Sequence, residues 1–529
     1  MANKLELTWY GKDKEIKVEP RLLIENKALS NTAKDPNTEN MLVHGDNLLA
    51  LKALEAKYAG KVKCIYIDPP YNTGSAFEHY DDNLEHSQWL TLMKPRIEIL
   101  RRLLSDGGSI WISIDDDEGH YLKVLCDEIF GRNNFISTVI WEKRYSPTND
   151  SKHLSDSHDF ILVYAKKIEN LKINLLERSE KQNQYYKYDD HDGRGLWRSD
   201  NVLVKTFSES GVFAIKNPNT GVEYYPPEGS CYRFSKETAE RYLAENRFYF
   251  GKDGKGAPQL KRYLSEVKQG VTPMTIWKRD DVGDNQEAKK EVKEFNSKSI
   301  FATPKPERLI QRVLTLATNE GDLVLDSFLG SGTTAAVAHK MNRRYIGIEM
   351  GEHAYTHCKV RLDKVISGED KGGISKEVNW NGGGGYRFYE LAPSLILKDD
   401  FDEEIINPAY NADMLAAAVA LHEGYTYAPD AELFWKQSKG NEKSYLFVTT
   451  RHITQSYLDA IFSTMAEDEF LIIACRSYDK GTEKAYKNIS IKKIPQMLLD
   501  NCEFGKDGYA LNIVHPPVYD DEEGESENE

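Results

Sequence analysis

A short stretch after an apolar run carries a carboxylate, two prolines and an aromatic ring in succession. In VKCIYIDPPY the apolar run ends at Asp68, and Pro69, Pro70 and Tyr71 follow it. Proline sets φ near −65° and removes a backbone N–H, so the pair predicts a rigid turn whose carbonyl groups can accept hydrogen bonds. Such a turn could hold a flat molecule that bears an amino group.

A second stretch, residues 322–350, predicts a strand, a glycine-rich turn, a helix and another strand. Gly330 and Gly332 allow the backbone to pass close to a ligand. The helix that begins near Thr333 favours a negative group at its N-terminus. Glu349 ends the second strand 19 positions after Gly330. In nucleotide-binding α/β folds an acidic residue at this spacing reaches the ribose hydroxyls.

The composition of this turn reduces the number of ligand classes that it could bind. Gly-Ser-Gly-Thr-Thr has no lysine where bound phosphates need one, which excludes a P-loop. A dinucleotide site stays open, although the third glycine is absent. An aromatic residue, Phe328, beside the turn and an acid, Asp326, at the end of the strand suit a ligand with a carboxylate, an amine and an adenosine. S-adenosylmethionine has these groups.

The two turns together predict a methyl transfer to a nucleobase. The exocyclic nitrogen of adenine or cytosine is a poor nucleophile because its lone pair is delocalised into the ring. The Asp68 carboxylate and a proline carbonyl would accept its hydrogens, and Tyr71 would stack on the base. This is catalysis by position and electrostatics, and it needs no metal. A base within a duplex would first have to be flipped out.

Strands alternate with helices on both sides of a central segment, which predicts an α/β fold with a mainly parallel sheet. We predict a strand, a turn and a helix over 41–60, a strand over 61–68, and a helix over 86–108 that ends at Gly107-Gly108. Strands are also expected at 109–114, 135–144, 158–167, 322–326 and 345–349, with helices at 118–131, 306–318 and 332–341.

Composition changes along the chain predict six segments. Residues 1–40 form an N-terminal arm, and 41–169 the first part of the α/β domain. Residues 170–299, rich in tyrosine beside lysine and arginine, form an insert, and 300–390 complete the α/β domain. A glycine-rich break precedes a C-terminal α/β domain for assembly over 391–518, and 519–529 form an acidic, disordered tail.

Charge is distributed unevenly. The net charge is −15, but residues 386–529 carry 13 basic and 27 acidic residues, so the first 385 residues have a net charge of only −1. That part can therefore contain a basic DNA-binding groove. Six scattered cysteines without a CxxC pair argue against disulfides and zinc. The absence of a long apolar run or an apolar leader predicts a cytoplasmic protein.

The two motifs, in this order, resemble the β group of amino-group DNA methyltransferases. Five blocks extend the resemblance over residues 5–390 to the modification (Mod) subunit of type III restriction–modification systems. They are TENMLVHGDNLLALKAL, DPPYNTGSAFEHYDDNLEHSQWL, WKRDDVGDNQEAKKEVKEF, TPKPERLI and VLDSFLGSGTTAAVA. The resemblance implies a Rossmann-like S-adenosylmethionine-dependent methyltransferase sheet, interrupted by a target-recognition domain. It also implies methylation of adenine N6 in double-stranded DNA, a restriction (helicase–nuclease) subunit as partner, and a homodimer.

Residue roles follow from the same resemblance. Asp68, Pro69, Pro70 and Tyr71 form the catalytic motif that holds the target base. The residues expected around the cofactor are Asp46, Asn47, Lys305, Pro306, Asp326, Phe328, Gly330, Gly332, Thr333 and Glu349. Among these, Asp46 would reach the adenine, Glu349 the ribose, and Lys305 the methionine end. Leu329 departs from the small residue found in many relatives, which should not affect the chemistry.

Several alternatives stay open. Asp115–117 favour a solvated strand end or a helix cap, although Asp115 could face the cleft. Lys305 could be a surface lysine, and His44 is more typical of a structural residue. The chain could be an orphan methyltransferase without a nuclease, could act on cytosine N4 or on RNA, or could hold DNA and cofactor without turnover. Within the family that the motifs resemble, aspartate at the first motif position is more typical of adenine than of cytosine methyltransferases.

Overall fold

The structure, a computed structural model, describes residues 6–14, 16–72, 82–147, 153–178, 183–267, 270–296, 301, 303–499 and 501–509. Residues 73–81 of the block that begins at Asp68, and the acidic tail at 519–529, lie outside these ranges. The chain divides into two compact units, one made of residues 1–174 and 274–529 and the other of residues 175–273.

The described part of the first 174 residues supplies six strands and three α-helices to the larger unit. The strands are β1 (Leu23–Glu25), β2 (Met41–His44), β3 (Val62–Ile67), β4 (Leu104–Ile114), β5 (Phe135–Glu142) and β6 (His158–Ala165). The helices are α1 (Asn47–Tyr58), α2 (Asp82–Leu103) and α3 (Asp116–Phe130).

Among its described residues, the smaller unit, residues 175–273, contains several short strands and an α-helix of nine residues. They are β7 (Trp197–Asp200), β8 (Leu203–Val204), β9 (Ile215–Lys216), β10 (Glu223–Tyr224), β11 (Cys231–Tyr232), α4 (Lys236–Ala244), β12 (Phe248–Tyr249) and β13 (Gln259–Tyr263). Its core includes Val202, Ile215, Phe248 and Leu260. The tyrosines of this region serve both the core and the surface, since Tyr263 is buried whereas Tyr185 is 67% exposed.

The chain then re-enters the larger unit and completes its main sheet. The strands are β14 (Ile276–Trp277), β15 (Leu323–Asp326), β16 (Arg344–Glu349) and β17 (Arg387–Leu391). The helices are α5 (Arg279–Val282), α6 (Asn285–Phe295), α7 (Glu307–Ala317), α8 (Thr333–Lys340) and α9 (Val360–Ser367), and a π-helical turn, Ala354–Lys359, precedes α9.

The remaining described residues form the end of the larger unit. They contain β18 (Ile396–Lys398), β19 (Glu404–Ile406), α10 (Ala412–His422), β20 (Thr426–Tyr427), β21 (Ser438–Lys439), β22 (Ser444–Ile453), α11 (Gln455–Phe462), β23 (Phe470–Tyr478), β24 (Ile489–Lys493) and α12 (Gln496–Leu499). Strands β20 to β24 form a five-stranded mixed sheet in sequence order. This α/β arrangement agrees with the sequence prediction.

The main sheet has ten strands in the order β1-β17-β2-β16-β15-β3-β4-β6-β5-β14. From β17 to β4 all neighbouring strands run parallel, whereas β6 lies antiparallel to β4 and β5. Because parallel strands share one carboxyl edge, the turns after β2, β3, β15 and β16 lie along the same edge of the sheet. In open α/β sheets ligands bind at this edge.

The predicted helix over 86–108 is wrong at its C-terminal end. Helix α2 stops at Leu103, and Gly107 and Gly108 lie in β4. The last carbonyl groups of α2 accept backbone N–H groups of Gly60 and Lys61, so no glycine cap is needed. A Cβ on Gly108 would lie 2.9 Å from the Val62 carbonyl oxygen, so glycine serves close packing of the two strands.

Candidate active site

The corner after β3 surrounds Asp68 with polar partners. Its Oδ2 atom lies 2.7 Å from Lys305 Nζ, and its Oδ1 atom accepts a hydrogen bond of 2.9 Å from Tyr71 Oη. The Asp68 side chain is 21% exposed. Burial raises the pKa of Asp68 above its ordinary value, although Lys305 and the Tyr71 hydroxyl oppose the rise.

The carbonyl group of Pro70 is also engaged within the protein. Trp89, on the buried face of α2, donates its indole N–H to this oxygen over 2.7 Å. The hydrogen bond ties the diproline turn to a helix of the core cluster and fixes where the turn lies. Trp89 belongs to the HSQWL block but the motif pattern alone did not identify it as a support of this turn.

A second buried carboxylate stands behind the tyrosine. Asp159, on β6, lies 3.3 Å from Tyr71 Oη through Oδ2 and 2.8 Å from Lys143 Nζ through Oδ1. Lys143 also pairs with Asp156. The tyrosine hydroxyl therefore sits between two carboxylates. Sequence reasoning missed Asp159 and Lys143 because only the pairing of β5 with β6 brings them together, beside the end of β3.

The glycine turn after β15 folds around the acid that ends β16. Gly330 and Gly332 have φ of +56° and +82°, the left-handed region that favours glycine. Glu349 accepts the Gly330 N–H over 2.7 Å and the Gly351 N–H over 3.1 Å. A Cβ on Gly330 would lie 3.0 Å from the Phe301 ring, and one on Gly332 would lie 3.1 Å from Cys358 Cα.

Asp326 anchors the same turn from the end of β15. It accepts the Phe328 N–H over 2.9 Å and the Thr334 hydroxyl over 2.6 Å. Burial raises the pKa of Asp326 to about 7, and the charge of Asp68 adds to the rise. The carboxylate thus bridges the turn and the first residues of α8, and Phe328 packs against the main core.

Lys305 joins the two corners, which lie on the neighbouring parallel strands β3 and β15. Its ammonium group contacts Asp68, and its backbone carbonyl accepts the Thr333 hydroxyl over 3.1 Å. The Lys305 side chain is 8% exposed, so the alternative of a surface lysine is wrong. Pro306, the next residue, precedes the first residue of α7.

The corner after β2 is built around Asp46 and Asn47. Asp46 caps α1 by accepting the Leu48 and Leu49 N–H groups, and its other oxygen accepts the Tyr509 N–H over 3.0 Å. Asn47 donates to the Ser327 carbonyl oxygen over 2.8 Å, which connects this corner to the turn after β15. The expected contact of Asp46 with an adenine stays a prediction.

A buried ionic cluster lies beneath the glycine turn. Arg361 donates to Thr333 Oγ1 and Glu307 Oε1, each over 2.8 Å, and Lys340 Nζ lies 2.7 Å from Glu307. Glu291 approaches the same guanidinium to 3.7 Å. Burial alone would raise the pKa of Glu307, but Lys340 and Arg361 lower it below its ordinary value. The cluster fixes the start of α8 to α7 and α9.

The structure also gives the surroundings of Asp115 and His44, whose roles the sequence leaves open. Asp115 accepts the Asp117 N–H over 3.1 Å and so caps α3, as the sequence favours. Burial and the charge of Asp117 raise the pKa of Asp115 to about 7. His44 contacts the Tyr355 hydroxyl over 2.8 Å.

The described residues were predicted to contain neither a metal site nor a membrane span, and their side chains and helices have the following properties. Across the described ranges, no group of three or more His, Cys, Asp or Glu side chains could hold a metal ion. All six cysteines are buried and free. Within the same part of the chain, every helix is too short or too polar to cross a bilayer.

The sheet order brings the two corners together at the carboxyl edge of the parallel strands of an α/β protein. The sequence model of the DNA methylase family matches residues 62–359, and the chain belongs to this family.

Three curated relatives show the same similarity over longer ranges. The probable HindVI Mod subunit of Haemophilus influenzae is 36% identical over 67% of this chain and 54% of its own length. The StyLTI Mod subunit of Salmonella typhimurium is 32% identical over 72% and 60%. The EcoP15I Mod subunit of Escherichia coli is 28% identical over 79% and 77%. The matches thus span just over half of the first relative and three fifths of the second.

Proposed function

We propose that this chain methylates N6 of adenine in a specific double-stranded DNA sequence, with S-adenosylmethionine as methyl donor. The observation that carries the proposal is the Asp-Pro-Pro-Tyr corner on β3 directly beside the glycine corner on β15, with Lys305 in contact with both. This is the arrangement that methyl transfer between a nucleobase and a cofactor requires.

The residues of the glycine corner fit this cofactor. Two left-handed glycines let the turn pack tightly against Phe301 and Cys358 without a side chain of its own at these positions. Glu349 lies at the end of β16, where it could bind ribose hydroxyls. Phe328 and Asp326 border the same turn. When bound, S-adenosylmethionine supplies an electrophilic methyl group.

The chain's own groups would prepare the base. Asp68 would accept hydrogens of the amino group, which favours a nitrogen lone pair directed out of the ring plane. Tyr71 would stack on the base, with its hydroxyl held by Asp68 and near Asp159. The burial of Asp68 strengthens such electrostatic interactions, because little water competes for the carboxylate.

We assign recognition of the DNA sequence to residues 175–273. This unit exposes Tyr185 and Tyr225 by 67% and 61%, and arginines accompany its rings, with Arg194 4.6 Å from the Tyr263 centroid. Aromatic and basic side chains together suit contacts with bases and phosphates.

The Mod subunits among the relatives support a role as the modification subunit of a type III restriction–modification system. We therefore propose a restriction (helicase–nuclease) subunit as partner, a homodimer as the functional form, and action in the cytoplasm. The C-terminal α/β region would serve this assembly.

The test is methyl incorporation with the full chain. Purified protein is incubated with labelled S-adenosylmethionine and unmethylated duplex DNA or matched RNA, and the nucleosides are separated. We expect label only in N6-methyladenine from duplex DNA. Label in N4-methylcytosine or in RNA would contradict the substrate, and cofactor binding without incorporation into any DNA would contradict catalysis. Co-purification with the product of a neighbouring helicase gene would test the partner.

Replacing Gly332 by alanine is expected to weaken cofactor binding. At φ +82° a side chain is strained, and the added Cβ would press on the Cys358 backbone at 3.1 Å. The two effects should cost about 1–3 kcal/mol, and a comparable loss in binding corresponds to about 5–150-fold in Kd. Calorimetry with S-adenosylmethionine measures it.

The matched control is Gly321→Ala, because Gly321 has φ +79° but open space around its Cβ position. This control should show only the strain of the positive φ and keep wild-type cofactor affinity. Equal cofactor affinities of the two variants would argue against a cofactor at this turn.

A further inference from the structure

We propose that Lys305 is a positioning residue for Asp68: its ammonium group keeps the catalytic carboxylate ionised and fixes the direction of its oxygens. The inference rests on the proposed function and assigns a role that differs from a contact with the methionine end of the cofactor. It is carried by the ion pair of 2.7 Å between Lys305 Nζ and Asp68 Oδ2.

Contacts of both the backbone and the side chain determine where the Lys305 ammonium group lies. The Lys305 carbonyl accepts the Thr333 hydroxyl at the start of α8, and the next residue, Pro306, precedes α7. From this point the side chain reaches Asp68, and its Nζ atom lies 5.1 Å from the Tyr71 ring centroid. The lysine is therefore built into the gap between the two corners.

The two oxygens of Asp68 have different partners. Oδ2 faces Lys305, and Oδ1 accepts the Tyr71 hydroxyl. A carboxylate held by one partner on each oxygen cannot rotate freely, so its remaining lone pairs keep one direction. Those lone pairs are what an amino group of a base would meet.

The charges around Asp68 make this cation necessary. Tyr66 and Tyr71 face it from β3 and its turn, Asp159 faces it from β6, and Asp326 from β15. Lys143 is paired with Asp159 and Asp156. Among the described groups that act most strongly on Asp68, Lys305 alone contributes a positive charge, and burial and Asp159 both favour the neutral form.

The sign of the expected pH effect follows. Without the ammonium group, the pKa of Asp68 would rise further above its ordinary value. A protonated carboxyl group donates from one oxygen and is a weaker acceptor, so it no longer favours the reactive form of the amino nitrogen. The acidic limb of the pH–rate profile should therefore move to higher pH.

The experiment compares wild type, Lys305→Met, Lys305→Gln and Lys305→Arg, each paired with the same protein carrying Asp68→Asn. Infrared difference spectra between the members of each pair report protonation of Asp68 over a pH series. The midpoint should rise by about 1–3 pH units in the methionine and glutamine variants, the effect of losing an adjacent opposite charge. The arginine variant keeps the positive charge, so its midpoint should lie close to that of wild type. Wild-type Asp68 should be ionised at pH 7.

The control is Lys167→Met, which removes an exposed ion pair with Asp106 and should change neither midpoint nor activity. Single-turnover methyl transfer should show the same displacement of its acidic limb as the infrared midpoint. An unchanged midpoint in the methionine and glutamine variants, or a protonated Asp68 at pH 7 in wild type, would overturn the inference. If the midpoint moves but the wild type methylates no DNA, the proposed function fails, whereas the control of Asp68 ionisation by Lys305 stands.

Discussion

Replacing Asp68 by alanine should reduce the rate of methyl transfer by a factor of about 10²–10³, the usual effect of losing one preorganised electrostatic contact at a reacting centre. Its carboxylate is expected to accept hydrogens of the target amino group. Asp159 cannot replace it in this role, because Asp159 contacts the Tyr71 hydroxyl that Asp68 also binds. Cofactor affinity should change little. Glu349 is held by the N–H groups of Gly330 and Gly351, and these hydrogen bonds do not involve Asp68.

The measurement is single-turnover incorporation of a labelled methyl group into DNA, together with calorimetry of cofactor binding. Alanine also leaves the ammonium group of Lys305 without its carboxylate, so Asp68→Asn, which keeps the shape of the side chain, accompanies it. Asp106→Asn is the control, since Asp106 pairs with an exposed lysine. Methylation at the wild-type rate by the alanine variant would refute the role of Asp68.

The two corners could be predicted from the sequence because each is a local pattern. An apolar run that ends in Asp68-Pro69-Pro70 defines its own turn, and two glycines before a helix define another. Their adjacency is implicit in the predicted methyl transfer, which needs both turns, but neither local pattern shows it, since nothing local brings β3 next to β15. The α/β fold followed from the alternation of strands and helices.

The supports of these corners depend on contacts between distant parts of the chain. Trp89 lies 19 residues after the carbonyl group it binds, Asp159 lies 88 residues after Tyr71, and Lys305 lies 237 residues after Asp68. Periodicity and propensity carry no information on such pairs. For the same reason the end of α2 was predicted wrongly: Gly108 allows β4 to pack closely on β3 and does not terminate the helix.

Loss of the positive charge of Arg361, which holds the glycine turn in place, should lower the stability of the larger unit. Arg361 is almost fully buried, with its side chain 2% exposed, and its guanidinium group binds Glu307, Thr333 and the Ser331 carbonyl oxygen. Replacing it by methionine keeps the apolar bulk but leaves Glu307 and Glu291 with too little positive charge. Breaking a buried pair in this way typically costs about 3–5 kcal/mol.

Amide hydrogen exchange read by mass spectrometry measures this loss within the larger unit. Peptides that cover β15 and α8 should lose protection by a factor of about 10²–10⁴, which corresponds to the expected free energy. The control is Arg344→Met, because the Arg344–Glu39 pair is 50% and 61% exposed and such pairs contribute about 0–1 kcal/mol.

The same variant should also weaken cofactor binding, since Arg361 fixes Ser331 and Thr333 inside the turn itself. Arg361→Lys distinguishes the two effects: a lysine retains the charge but cannot reach Glu307 and Thr333 at once in the planar geometry of a guanidinium group. It should therefore recover part of the protection and little of the affinity. Full recovery of both by lysine would mean that charge alone, without the shape of the arginine fork, holds the turn.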